Sequence, residues 1–485
     1  MSRLTQSLRN RWSRPAGYGE LLTLAGPLIL STGTMTVQQF ANRVFLSWYS
    51  PEALAASLPA GAASFTILCF FIGACSYANT FVAQYYGSDQ PHRIAASVWQ
   101  AVYLALLGSL LILPIGLLAR PLFDLAGHDP AVRVLESGYF RLLIFGGGFA
   151  IIPSALSAFF TGRGCTRTVM WINISITLVN VLLDYLLIFG FHGLPRLGII
   201  GAGWATVISS ALGTVVFLMI FIFGADGRTY DVWRGRSFDR ELFLRLLRFG
   251  APSGLHFMLD LLAWSIFILM VGRLGIVALG ATNLAFQINS VVFMPMTGFA
   301  IATATLVGQR LGQDDPRLAA RTTWSAFQMT FAYMSSIALL YVLIPNVFLV
   351  PFGAKADPAQ FAVVQETAVI MLRFVALYSL FDGANLIFSA ALKGAGDTLF
   401  VMVVSSSLSM SLMVLPTWLI CRDGKGSVWN AWIALTSFIC VLAFCFVWRF
   451  LQGKWRTMRV VECPAPPVLS TYAPPDVPAT DAEMP

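Results

Sequence analysis

Charge is scarce in this chain. Only 11% of its 485 residues are Asp, Glu, Lys or Arg, where a soluble domain carries about 25%. With 57% hydrophobic residues, too little polar surface remains to clothe a globule in water. Histidine is rarer still, at 4 residues, and none stands in an HExxH run; GxSxG and GxxxxGK[ST] are absent too. Intramembrane zinc or serine hydrolysis and phosphate-loop nucleotide binding therefore find no support. The 7 cysteines are an odd number, and Cys69, Cys75, Cys440 and Cys445 stand inside apolar runs. They read as small core hydrophobes rather than a disulfide framework.

What the chain has is long apolar runs. A membrane-spanning helix needs about 20 mainly apolar residues. Twelve stretches qualify, near 21–46, 53–81, 94–119, 134–160, 169–190, 199–223, 241–272, 278–307, 319–345, 361–392, 399–420 and 428–450. Runs this long are helices rather than barrel strands, because lipid forces backbone polar groups to bond within the segment. The fold class expected is an all-α integral membrane protein with no soluble enzymatic domain. The net charge of +8 invites a nucleic-acid reading, but its distribution favours another. Arg163, Arg167, Arg310, Arg317, Arg321, Lys393 and the run from Arg228 to Arg248 gather in alternate loops, together with the basic termini. That bias places both termini in the cytoplasm and the spans in the cell (inner) membrane. The first span is too long for a signal-peptide core. Residues 454–485, rich in proline, are expected to be disordered.

The chain is one unit written twice. A shift of 225 lays Pro27 on Pro252, Trp99 on Trp324, and VAQYYGSDQP (82–91) on VGQRLGQDDP (307–316), where five of the ten positions agree. A shift of 232 lays Arg141 on Arg373 and GRGCT (162–166) on GAGDT (394–398). Six spans per unit make the repeats parallel, related by a pseudo-two-fold axis along the membrane normal. The expected organisation is an N-terminal segment 1–19, an N-lobe 20–223, a linker 224–240 and a C-lobe 241–453. Two such lobes around a hollow form an alternating-access architecture.

Three carboxylates stand deep in apolar spans. Asp260 sits in the middle of APSGLHFMLDLLAWSIFILMVGR (251–273), and Asp184 and Asp382 lie at similar depth. An Asp at the bilayer centre costs about 2.5–3.5 kcal/mol on insertion scales, so each needs a partner, a proton or a cation. His256 is one turn before Asp260 and shares its face, as a proton relay or a plain wall residue. Arg373 is nine residues before Asp382, half a turn out of phase, so Asp382 needs a partner on another helix. Asn180 and Asp184 share a face on span five; with Thr206 they suit either Na⁺ or a buried hydrogen-bond network. Arg43 either snorkels to the interface or pairs with Asp184. Gln38, Gln39, Asn283, Gln287, Asn289 and His256 are candidates to line a substrate cavity.

PEALAA (51–56), VAQYYG (82–87), NVLLDYLLIFG (180–190), LGIIGAGWAT (197–206), VGRLG (271–275) and LKGAGDT (392–398) together resemble the multidrug and toxic compound extrusion (MATE) transporters, in their NorM-like branch. The resemblance covers nearly all of 20–450. It implies a V-shaped cavity between two lobes and export of organic cations driven by inward Na⁺ or H⁺, with no other cofactor. It implies coupling roles for Asp260, eight places after Pro252, and for Asp382, both as Na⁺ ligands if Na⁺ is the ion. In the N-lobe it implies the same for Asn180, Asp184 and Thr206. The family's span-one Asp is Asn42 here, which removes one charge from that cluster. The function expected is multidrug antiport by a monomer. The alternative is export of a lipid-linked or peptide cargo on the same architecture.

Overall fold

The computed structural model describes residues 12, 14–126, 129–190, 195–353, 358–423 and 426–462. Among them all regular structure is helical. Twelve helices are long and apolar enough to cross a membrane: α1 Tyr18–Tyr49, α2 Pro51–Gly87, α3 Pro91–Leu117, α4 Pro130–Gly162, α5 Thr166–Phe189, α6 Ile199–Phe223, α7 Arg240–Gly272, α8 Ile276–Gly312, α9 Pro316–Leu343, α10 Phe361–Ala395, α11 Thr398–Cys421 and α12 Val428–Leu451. The chain is a multi-pass membrane protein, with the twelve spans expected.

Local chemistry sets their starts. Ser50, Asp129 and Asp315 cap α2, α4 and α9 through their side chains, and each is followed by a proline in the first turn, where the missing N–H costs nothing. Asp239 caps α7 in the same way. The duplication persists in the backbone. Asp89 and Asp314, 225 apart, both take φ near +55° (55° and 56°), and Gly164 and Gly396, 232 apart, are both left-handed. Matching loops thus repeat a conformation that most side chains avoid. Symmetry fails in α11, where Ser409–Val414 forms a π-helical turn before Pro416; proline supplies no N–H to the regular ladder.

Each lobe has its own apolar core, and the lobes exchange their first helices at one end. Leu242 and Leu246 of α7 join the N-lobe core, while Leu21, Ala25 and Leu28 of α1 pack on Phe299, Ala302 and Leu306 of α8. The seam between the lobes obeys the pseudo-two-fold. Gln84 Nε2 donates to Gly394 O at 3.0 Å, and its counterpart Gln309 donates to Gly162 O at 2.8 Å. A Cβ on Gly87 would strike the Gln309 carbonyl, and one on Gly312 would strike that of Gln84. Higher up, Gly73 meets Gly254 on the α2–α7 side and Gly298 meets Ile29 on the α8–α1 side. Small residues let the backbones approach as membrane helices do.

The chain's end closes this seam, which corrects the expectation of disorder from 454. Lys454–Thr457 is a 3₁₀ turn, and Trp455 stacks on Phe450 of α12 at 4.7 Å. Val460 and Val461 then enter the N-lobe core, and Val460 N donates to Gln84 Oε1. Glu462 accepts from Tyr85 Oη at 2.7 Å and pairs with Arg93 and Arg245; Arg93 also holds Asp239 at 2.9 Å. Residues 463–485 lie outside the described part.

Two of these acids are held below the usual carboxylate range. For Asp239 the Leu242 amide is the main cause, with Arg93 behind it. For Glu462, partial burial pushes upward and is outweighed by the Tyr85 hydroxyl and Arg245. A depressed acid adds stability that is full above its unfolded pKa, about 4, and is lost as pH falls through the folded value. The difference in melting temperature between wild type and Glu462→Gln should therefore be constant from neutrality to about pH 5 and shrink below about pH 4. A difference that grew on acidification would contradict this charge cluster.

Candidate functional site

The described contacts across the seam stop part-way along the helices. On α1 and α8 they end at Thr36, whose hydroxyl reaches Met294 Sδ at 2.9 Å. On α2 and α7 they end at the edge-on pair Phe65–Phe257. Continuing each contacting stripe outward at helical spacing leads to exposed residues: Gln39, Phe40 and Arg43 on α1, Leu58 and Ala62 on α2, and Gln287 and Val291 on α8. Phe40 and Val291 are 68% and 60% exposed. Facing stripes that are buried at one end and open at the other mean that the lobes diverge into a mouth. The next turn of α7 beyond Phe257 carries Asp260, on the floor of that mouth. It is enclosed by protein yet partly accessible, as a wall residue of a hollow must be. The cleft around Trp12, Glu20 and Arg310 lies at the sealed end, away from these acids.

The C-lobe cluster joins α7, α8 and α10. Asp260 and Asp382 lie within electrostatic reach of each other. Asn385 Nδ2 donates to Asp382 Oδ1 at 3.2 Å. Tyr378, one turn before Asp382 and electrostatically in touch with it, accepts from Asn289 Nδ2 at 3.4 Å. Arg373 is exposed and away from Asp382. His256 Nδ1 stands 3.2 Å from Lys393 Nζ, and Lys393 is within electrostatic reach of Asp260. Sequence reasoning assigned Lys393 to a basic loop. Helix α10 in fact runs on to Ala395 and carries the lysine inside; the signal missed was that helical pattern continuing to the glycine of GAGDT.

The N-lobe cluster is different. Asp184 and Asn180 are fully buried. Asn180 Nδ2 donates to Ser209 Oγ at 3.1 Å, whereas Asn180 Oδ1 and both Asp184 oxygens have no hydrogen-bond partner. Asn42 of α1 faces the carboxylate but is set wide of hydrogen-bond geometry. Thr206 is turned back to the Ala202 carbonyl and is tied to the cluster only through Ser209, which donates to its carbonyl; Ser209 had not been singled out. Arg43 is exposed and makes no ion pair with Asp184, so that alternative is withdrawn. Three buried oxygens without a donor suit a proton or a hard cation. Among the described residues no group of three His, Cys, Asp or Glu is arranged to hold a metal ion, so a metal here would rely on amide and hydroxyl oxygens as well.

The cavity candidates separate by helical phase. Gln39, Asn283 and Gln287 follow the stripes that face the mouth. Gln38 is about 200° from Thr36, and Asn289 about 200° from Gln287, so neither shares that wall; Asn289 points into the C-lobe instead. The repeat copies the frame and not the chemistry. Asp260, Asp382 and Lys393 correspond to Met35, Ala150 and Thr161, and Asn180 and Asp184 to Leu412 and Pro416.

Comparison with known proteins agrees with this fold. The MatE family model matches residues 27–186 and 252–419, one block per repeat. The chain is 30% identical over 451 residues to a probable multidrug resistance protein NorM of Pseudomonas putida, covering 90% of this chain and 95% of that one. It is 28% identical over 445 residues to the multidrug resistance protein NorM of Burkholderia vietnamiensis, covering 91% and 94%. Among solved structures, a MOP superfamily transporter from Pyrococcus furiosus superposes with a TM-score of 0.82 at 18% identity, over 93% of this chain and 99% of that one. A multidrug resistance MATE family transporter in an outward-facing conformation gives 0.81 at 17%, over 93% and 99%.

Proposed function

Because the chain belongs to the MatE family of multidrug transporters, we propose that it is a secondary antiporter. It exports lipophilic, cationic organic compounds in exchange for an inward-moving cation, H⁺ or Na⁺. The observation that carries this reading is that the Asp184 oxygens and Asn180 Oδ1, deep in the N-lobe, have no hydrogen-bond partner, a need that a mobile cation would meet. Asp260 and Asp382 supply a second acidic station at the floor of the mouth. Cargo leaves between Phe40, Leu58 and Val291, whose apolar and aromatic faces suit a lipophilic cation. Each charge moved down 100 mV supplies about 2.3 kcal/mol. The protein works as a monomer in the cell inner membrane with both termini cytoplasmic, which places the sealed end inside and the mouth outside.

Dye export in everted vesicles with imposed gradients tests the reading. Wild type should concentrate a cationic dye when an H⁺ or Na⁺ gradient is imposed and stop when it is collapsed. Asp184→Asn should lower the steady-state gradient. Dye movement indifferent to both gradients, or movement only of a lipid-linked cargo, would replace multidrug antiport by the other function of this architecture.

A further inference from the structure

Lys393 stands within electrostatic reach of Asp260, and the seam holds its backbone in place. We propose that Lys393 is a tethered counter-cation of Asp260, which disfavours Na⁺ at the Asp260/Asp382 station while the lobes are sealed. The inference rests on the antiport reading for its consequence, since it concerns which ion the α7–α10 station accepts, but its geometry stands on its own.

Lys393 reaches His256 Nδ1 at 3.2 Å. An ammonium has donors and no acceptor, so Nδ1 accepts and the ring of a neutral His256 carries its proton on Nε2. His256 is one turn from Asp260 on the same helix, and Lys393 and Asp260 interact electrostatically. Two carboxylates and one ammonium leave a single uncompensated negative charge. A Na⁺ ion at Asp260 would meet the field of this fixed positive charge in surroundings that screen it poorly. It would also want several oxygen ligands, and Asp382 Oδ1 is already engaged by Asn385. The N-lobe has no such device: the positions matching His256 and Lys393 are Ser31 and Thr161.

The seam fixes the lysine through its backbone. Tyr77 Oη of α2 donates to Lys393 O at 2.8 Å, and Gln84 Nε2 donates to the next carbonyl, Gly394 O, at 3.0 Å. Two successive peptide units of α10 are therefore clamped by the opposite lobe. Parting the lobes breaks both bonds, so Lys393 links the state of the seam to the charge at the acids.

The test measures Na⁺-dependent thermal stabilisation of the purified full-length protein in nanodiscs, with NaCl against choline chloride. Lys393→Gln should tighten the apparent Na⁺ dissociation constant by about tenfold or more, and Asp260→Asn on that background should remove the gain. Lys393→Arg should behave as wild type. Where Lys393→Gln fails to fold, Lys393→Met removes the same charge and should give the same gain. A folded Lys393→Gln with no gain would overturn the proposal. Failure of the antiport reading shows separately, as the absence of gradient-driven dye export by wild type.

Discussion

Asp260→Asn and Asp382→Asn should each abolish coupled efflux while leaving a folded protein in the membrane. The amide keeps the shape of the carboxylate and, at Asp382, an oxygen for Asn385. It loses the charge that a cation must meet. One charge driven by 100 mV corresponds to about fiftyfold accumulation, so a variant that moves one charge fewer should lose about that factor in the steady-state dye gradient. The comparison uses vesicles matched for protein content, with a melting curve to confirm folding. Full accumulation by both variants would remove the α7–α10 pair from the coupling path and leave Asp184 as the station.

The second large effect concerns the seam. Gly87→Val with Gly312→Val should drive the lobes apart at the sealed end. The added Cβ atoms meet the carbonyls of Gln309 and Gln84, and a helix backbone cannot swing aside as a side chain tip can. Overpacking costs about 1–3 kcal/mol per site, so two sites shift the equilibrium by about thirtyfold or more away from the sealed state. Asn79→Cys with Thr305→Cys reports this, because those side chains stand 2.9 Å apart across the seam. On a cysteine-depleted background the pair should cross-link readily, and the valines should suppress the yield. An undiminished yield would mean that the seam adapts to the added bulk.

Much of this was legible in the sequence because its signals are local or repeated. Span number follows from apolar length, and the duplication follows from glycine, proline and glutamine in loops, where chance agreement is low. Gln84 and Gln309 were visible as a matched pair; that they bond each other's lobes was not, since no periodicity encodes which backbone carbonyl lies opposite. The deep acids stood out by their cost in lipid. Their partners did not: Lys393 looked like one more loop cation, and Ser209 like one more small residue in α6. Gln38 and Asn289 stand off the mouth-facing stripes, a matter of helical phase that polarity alone does not carry. The segment 454–462 misled because its composition changes gradually, while its packing rests on one glutamate wedged among arginines.

That glutamate has a practical consequence. Glu462 sits between Tyr85 and Arg93 of one lobe and Arg245 of the other. A label attached at Glu462 would sit directly on the line along which the lobes must part. Such an appendage works as a doorstop or as a gauge, and a kinetic measurement on a tagged protein samples the closure together with the pump.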